Sequence, residues 1–202
     1  AFMGSWLVYF YMPPDAPPLV PVAFFSLAML VVRAFNAVIT PLTGYFSDRT
    51  RLNWGRRLPF MAYSGLPLLI AFVLIWTPPV AGESQWNLIY LVGVMIVYNV
   101  AYAFNQVPYM ALLPEIAPQD RHRVRISAWT SALFLIGMIL GGVSGPVISN
   151  LGYGTAALVY AVVMLPMFYA PLFVLRERPA RPVVFKERLN LFQSVASLLR
   201  NR

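Results

Sequence analysis

The side chains able to do chemistry lie on two apolar stretches. At helical spacing, Arg33, Asn36, Thr40, Thr43, Gly44 and Ser47 fall within an arc of about 100°, with Leu30, Val31, Val38, Ile39 and Leu42 opposite. Further on, Tyr98, Asn99, Tyr102, Asn105, Gln106 and Tyr109 occupy an arc of about 120°. Three amides and three phenols on one stripe offer paired donors and acceptors over apolar ring faces. That combination suits reversible binding of a hydroxyl-rich molecule such as a sugar. Covalent chemistry has no comparable support. The single histidine, His122, sits among arginines, and there is no cysteine. No nucleophile is paired with a base, no metal-ligand spacing occurs, and no glycine loop could cradle a phosphate. The chain reads as neither an enzyme nor a metalloprotein, with no cofactor.

The elements that must position these stripes follow from composition. Of 202 residues, 59% are hydrophobic and 11% charged, whereas soluble domains run near a quarter charged. At about 20 apolar residues per crossing, six spans are expected, at 1–12, 19–46, 59–77, 87–113, 127–148 and 154–175. The fold class is therefore all-α, a polytopic membrane helix bundle. The first stretch reads as the end of a truncated helix, and no charged region before it marks a signal peptide. Prolines stiffen the loop after it and close the third and fourth stretches. Residues 176–202 read as a basic linker. There Phe185, Leu189, Phe192, Ala196 and Leu199 share one face of an amphipathic helix, lying either on the membrane surface or in solvent.

Charge supplies the topology. Fifteen Lys and Arg against seven Asp and Glu give +8. Arg49, Arg51, Arg56 and Arg57, then Arg121, Arg123 and Arg125, then the 176–202 segment hold every basic residue except Arg33. The alternate segments 12–18, 78–86 and 149–153 hold none. Basic loops stay on the cytoplasmic side, so the arginine-bearing segments are placed there, in a multi-pass protein of the plasma (inner) membrane. The basic balance is thereby a topology signal and not a nucleic-acid surface.

Arg33 lies roughly 20 Å from either end of its stretch at 1.5 Å per residue. An arginine at that depth costs on the order of 2.5–3.5 kcal/mol on insertion scales. It either lines a polar cavity or holds neighbouring carbonyls between packed helices. A second helix with a polar face favours a shared cavity, with Arg33, Asn36, Thr40, Asn99, Tyr102 and Gln106 as its wall. Gly137, Gly141 and Gly145 form two small-xxx-small steps, a surface for close helix packing.

Three stretches are more specific. Arg33-Ala-Phe-Asn36-Ala-Val-Ile-Thr40-Pro41, Gly44-Tyr-Phe-Ser47-Asp48-Arg49-Thr-Arg51 and Trp54-Gly55-Arg56-Arg57-Leu-Pro59-Phe60 resemble the glycoside–pentoside–hexuronide:cation symporters of the major facilitator superfamily. Tyr102, Asn105-Gln106-Val107-Pro108-Tyr109, Leu113-Pro114-Glu115, Asp120-Arg121, Arg125 and Trp129 resemble the family's next segments. The resemblance implies the N-terminal six-helix half of a twelve-helix transporter, with a C-terminal six-helix half as its partner. It implies alternating access for a sugar, glycoside or sugar acid. It also implies a cytoplasmic gate at Asp48, Arg49, Arg56 and Arg57, and a coupling cation, Na⁺ or H⁺. The chain departs from melibiose-type members at Asn36, Thr40 and Gln106, where those carry acids. A non-transporting membrane protein on the same fold, an assembly or pigment-delivery factor or a sensor, is the alternative.

Overall fold

The computed structural model describes residues 2–50, 55, 57–116 and 120–174. Six helices follow one another: α1 (Phe2–Tyr11), α2 (Val22–Arg49), α3 (Leu58–Leu74), α4 (Gln85–Ile116), α5 (Asp120–Gly142) and α6 (Ser144–Val174). There is no strand among the described residues beyond an isolated bridge at Gly55. Arg51, Arg56 and the 176–202 linker with its expected amphipathic helix lie outside the described residues.

Prolines and apolar length set the boundaries. α2 begins after Pro21, and α3 takes Pro59 into its first turn, where a missing N–H costs nothing. The end of α3 tightens: Trp76 N donates to Val73 O at 3.0 Å and Thr77 N to Leu74 O at 3.1 Å, just before Pro78 and Pro79. α2, α4, α5 and α6 each contain a window long and apolar enough to cross a membrane, and α3 is a shorter apolar helix.

Residue pairs fix the topology. Asn105 meets Met61 while Tyr90 meets Leu74, so α3 and α4 are antiparallel. Tyr169 meets Ala62 while Tyr153 stacks on Trp76, so α6 is also antiparallel to α3. Asn87 meets Leu19, and Gly44 lies against Val107, so α2 and α4 run parallel. The segments without arginine consequently gather at one end, here the proline end, where Ser84 N donates to Leu19 O at 3.1 Å. Arg57, Asp48 and Ala111 gather at the other, the arginine end.

The main core sits at the proline end. Phe2, Tyr11, Phe25, Phe72, Ile75, Trp76, Leu91 and Met95 are among its buried members. Edge-to-face and stacked rings knit it together, with Phe2 at 5.0 Å and Tyr153 at 5.7 Å from Trp76. A smaller cluster of Leu58, Met61 and Leu112 lies at the arginine end.

The fifth and sixth helices differ from the expected 127–148 and 154–175. α5 stops at Gly142 and helix resumes at Ser144, because Gly141, Gly142 and Gly145 weaken the ladder there. The Ser144 hydroxyl donates to Gly141 O and accepts from Trp6 Nε1 at 2.6 Å, so the interrupted turn is bonded. The reversal comes at Gly152, whose φ of 74° and ψ of 165° split α6 in two. Only glycine adopts that conformation readily. Residues 131–140 of α5 are exposed on every side. A helix of this length and hydropathy satisfies its backbone internally.

Candidate functional site

On α2 the buried residues are Phe25, Ala28, Val32, Thr43 and Ser47, a seam with spacings of three, four, eleven and four residues. Arg33 follows Val32 and is exposed, as is Thr40, while Asn36 is half-buried. The arginine-end half of the polar stripe, Thr43, Gly44 and Ser47, is thus taken up by the seam, while Arg33, Asn36 and Thr40 keep exposed surface. Thr40 Oγ1 donates to Asn36 O at 2.8 Å, which commits its proton and leaves its lone pairs outward. Pro41, inside the helix, removes one backbone donor in the same turn.

On α4, Ala103 is buried and Val107 lies against Gly44. Asn99, Tyr102 and Gln106 lie roughly 60°, 120° and 80° of helix rotation away from that seam. Tyr98 and Tyr102 are stacked, with centroids 6.2 Å apart and planes at 11°. Tyr102 is 42% exposed, while Asn99 and Gln106 are half-buried. Asn99 Nδ2 donates to Met95 O at 2.7 Å, leaving its carbonyl for another partner.

The two stripes share a level. Because α2 and α4 are parallel, Arg33, Asn36 and Thr40 stand at the level of the stretch from Tyr98 to Gln106. The opposite side of α4 is apolar: Phe60, Tyr63, Pro67, Val97, Val100 and Phe104 line a groove of about 470 Å³ against α3.

Two members of the α4 stripe are placed elsewhere. Asn105 is buried in the α3–α4 seam, with Nδ2 donating to Met61 O at 3.4 Å. Tyr109 packs on the small cluster at the arginine end. Of the glycines, Gly145 lies against Trp6, where a Cβ would come within 3.5 Å of the indole. Gly141 is buried, and Gly137 faces open space.

At the arginine end, Arg57 is the hub. Its side chain is only 9% exposed, lies 3.3 Å from Asp48 Oδ1 and also donates to Ala111 O. One guanidinium therefore joins the ends of α2, α3 and α4. Arg49 lies 3.9 Å above the Tyr45 ring, a cation–π contact. Arg56 lies outside the described residues.

Sequence reasoning missed Asn87. It is fully buried at the proline end. Its Nδ2 shares two hydrogens among Leu19 O, Val80 O and Gly82 O at 2.9, 2.9 and 3.0 Å. Its Oδ1 accepts from Val80 N at 3.1 Å. The available signal was an amide in the first turn of a helix after a Pro-Pro loop. No group of three His, Asp or Glu that could hold a metal occurs among the described residues.

Residues 2–202 match the sequence profile of the family described as MFS/sugar transport protein. The chain belongs to that family. It is a multi-pass membrane protein, and its family is one of transporters. The chain is 32% identical over 126 residues to an uncharacterised symporter of Synechocystis, covering 60% of this chain and 23% of that protein. It is 29% identical over 157 residues to a putative glycoside/cation symporter of Escherichia coli, covering 74% of this chain and 34% of the relative. It is also 29% identical over 119 residues to a sodium-dependent lysophosphatidylcholine symporter of Danio rerio, covering 57% of this chain and 22% of that one. The chain thus spans between about a fifth and a third of the length of these relatives.

Proposed function

We propose that the chain is the N-terminal bundle of a secondary transporter that carries a sugar, a glycoside or a sugar acid by cation symport. The observation that carries this reading is the placement of two polar stripes at one level of the parallel helices α2 and α4, backed by an apolar surface. Such a face is costly against hydrocarbon and useful only if it lines a water-filled path. A second bundle closes the path, and rocking of one bundle against the other opens it alternately to each side. The relatives named as symporters support ion coupling, with Na⁺ or H⁺ as the cation, and the lysophosphatidylcholine symporter keeps a lipid among the candidate substrates.

The Asp48–Arg57 pair and Arg49 form the gate in this reading. Charge-assisted bonds at a water-facing helix end can be broken and remade in each cycle. The arginine end lies in the cytoplasm of a cell bounded by the plasma (inner) membrane. Cysteines introduced at positions 53 and 83 test that orientation with an impermeant thiol reagent. Position 83 should react from outside intact cells and position 53 should not.

Uptake by the full-length protein in proteoliposomes under an imposed ion gradient tests transport itself. Asn36→Ala and Gln106→Ala should each lower uptake at least tenfold, and unchanged uptake of every glycoside tried would remove the cavity assignment. The neutral residues Asn36, Thr40 and Gln106 favour a second reading, a membrane protein of the same fold that moves nothing. Absence of flux for sugars, uronates and lysophospholipids alike would select it.

A further inference from the structure

Between the first and last turns of α2, α3, α4 and α6, Arg33 is the single Asp, Glu, Lys, Arg or His, and in α5 the basic residues stop at Arg125, near its arginine-end start. Asp48, the acid on its own helix, is fifteen residues away in sequence, roughly 22 Å along the axis. Toward the other end, α2 begins at Val22, roughly 16 Å away, with no acid on the way. The guanidinium is exposed on the polar face and takes part in none of the ion pairs or ring contacts among the described residues. Its neighbours one and two turns on, Asn36 and Thr40, are neutral, as are Asn99, Tyr102 and Gln106 across the seam. The face therefore carries a fixed charge of one sign.

Resting on the transporter reading, we propose that this face is an anion site. The transported molecule bears a carboxylate or phosphate group that docks on Arg33. Its uncharged remainder lies along Asn99, Tyr102 and Gln106. A guanidinium presents a planar fork matched to two oxygens of either group. A fixed cation with no acid beside it discriminates between an anion and a neutral molecule of the same shape. The same charge argues against a cation at Asn36 and Thr40. An ion on Asn36 would stand within about 6 Å of the Arg33 position, the reach of side chains one turn apart, with no carboxylate to hold it. The coupling cation is accordingly bound elsewhere in the full protein.

Full-length protein, purified in detergent and in proteoliposomes, is the material for the test, with three probes: glucuronate, glucose 6-phosphate and the neutral methyl glucoside. Binding is read by thermal shift and transport by uptake. The proposal expects at least one acid to bind tenfold or more tightly than the glucoside. Glucuronate alone identifies the carboxylate and glucose 6-phosphate alone the phosphate. Arg33→Gln should bring the acid down to the level of the neutral sugar, and Arg33→Lys should restore part of the difference. Loss of folding would lower both probes together and leave their ratio unchanged, so the ratio is the readout. Equal binding of acid and glucoside by the unsubstituted protein overturns the proposal while uptake of either keeps the transporter reading. Neither binding nor uptake of any probe overturns both.

Discussion

The two ends of the bundle are built from different materials. At the proline end, Trp76 is enclosed by the Phe2, Phe10, Phe72 and Tyr153 rings, and one buried amide, Asn87, fastens the loop before α2 to the loop before α4. At the arginine end, a small apolar cluster is supplemented by a guanidinium whose partner Asp48 is 57% exposed. In a membrane, helices gain little from leaving lipid for one another, so packing and hydrogen bonds carry association. The proline end has many such contacts, gathered around the buried Trp76 and Asn87. The arginine end relies on a few that water can reach. The proline end is therefore the fixed block, and the arginine end is the one whose contacts water can exchange.

Substitutions should separate the two ends by size of effect, read as unfolding midpoints of the full-length protein in detergent. Trp76→Ala empties the centre of the aromatic core and should cost about 3 kcal/mol. Asn87→Ala leaves the Leu19, Val80 and Gly82 carbonyls without their shared donor and should cost about 2 kcal/mol. Gly145→Val pushes against the Trp6 indole, where a Cβ already comes within 3.5 Å, and should cost about 1–2 kcal/mol. Gly137→Val, with open space around it, is the control and should shift the midpoint far less. Asp48→Asn should cost less than about 1 kcal/mol, since a half-exposed pair contributes little. If the pair is the proposed gate, the same substitution should instead speed labelling of a cysteine at position 53 from the side that carries the arginines. A large loss of stability from Asp48→Asn, or none from Asn87→Ala, would reverse the comparison.

The fold was largely legible because a lipid solvent imposes strong rules. Long apolar runs, proline punctuation and the alternation of arginine-bearing loops indicate both the helices and which segments share an end. The polar stripes on α2 and α4 were legible from periodicity, since a 100° step per residue places Arg33, Asn36 and Thr40 together in any α-helix. Periodicity cannot say which neighbour a stripe meets, and so Asn105 joined the wrong group: its angular position is adjacent to the stripe, but α3 lies there. The break at Val143 was hidden for a different reason. Hydropathy runs unbroken through Gly141, Gly142 and Gly145, and the interruption depends on Ser144 finding Trp6, more than a hundred residues away. Asn87 was missed because its partners are backbone carbonyls of two loops, which carry no side-chain signature.

The central claim is that the Arg33–Asn36–Thr40 and Asn99–Tyr102–Gln106 stripes line one aqueous path while the far side of α4 faces lipid. Single cysteines at positions 36, 106 and 100 in the full-length protein, probed in cells with a membrane-impermeant thiol reagent, test it most directly. The account predicts reaction at 36 and 106, slowed by the transported substrate, and no reaction at 100. Reaction at 100 with 36 and 106 inert would contradict it.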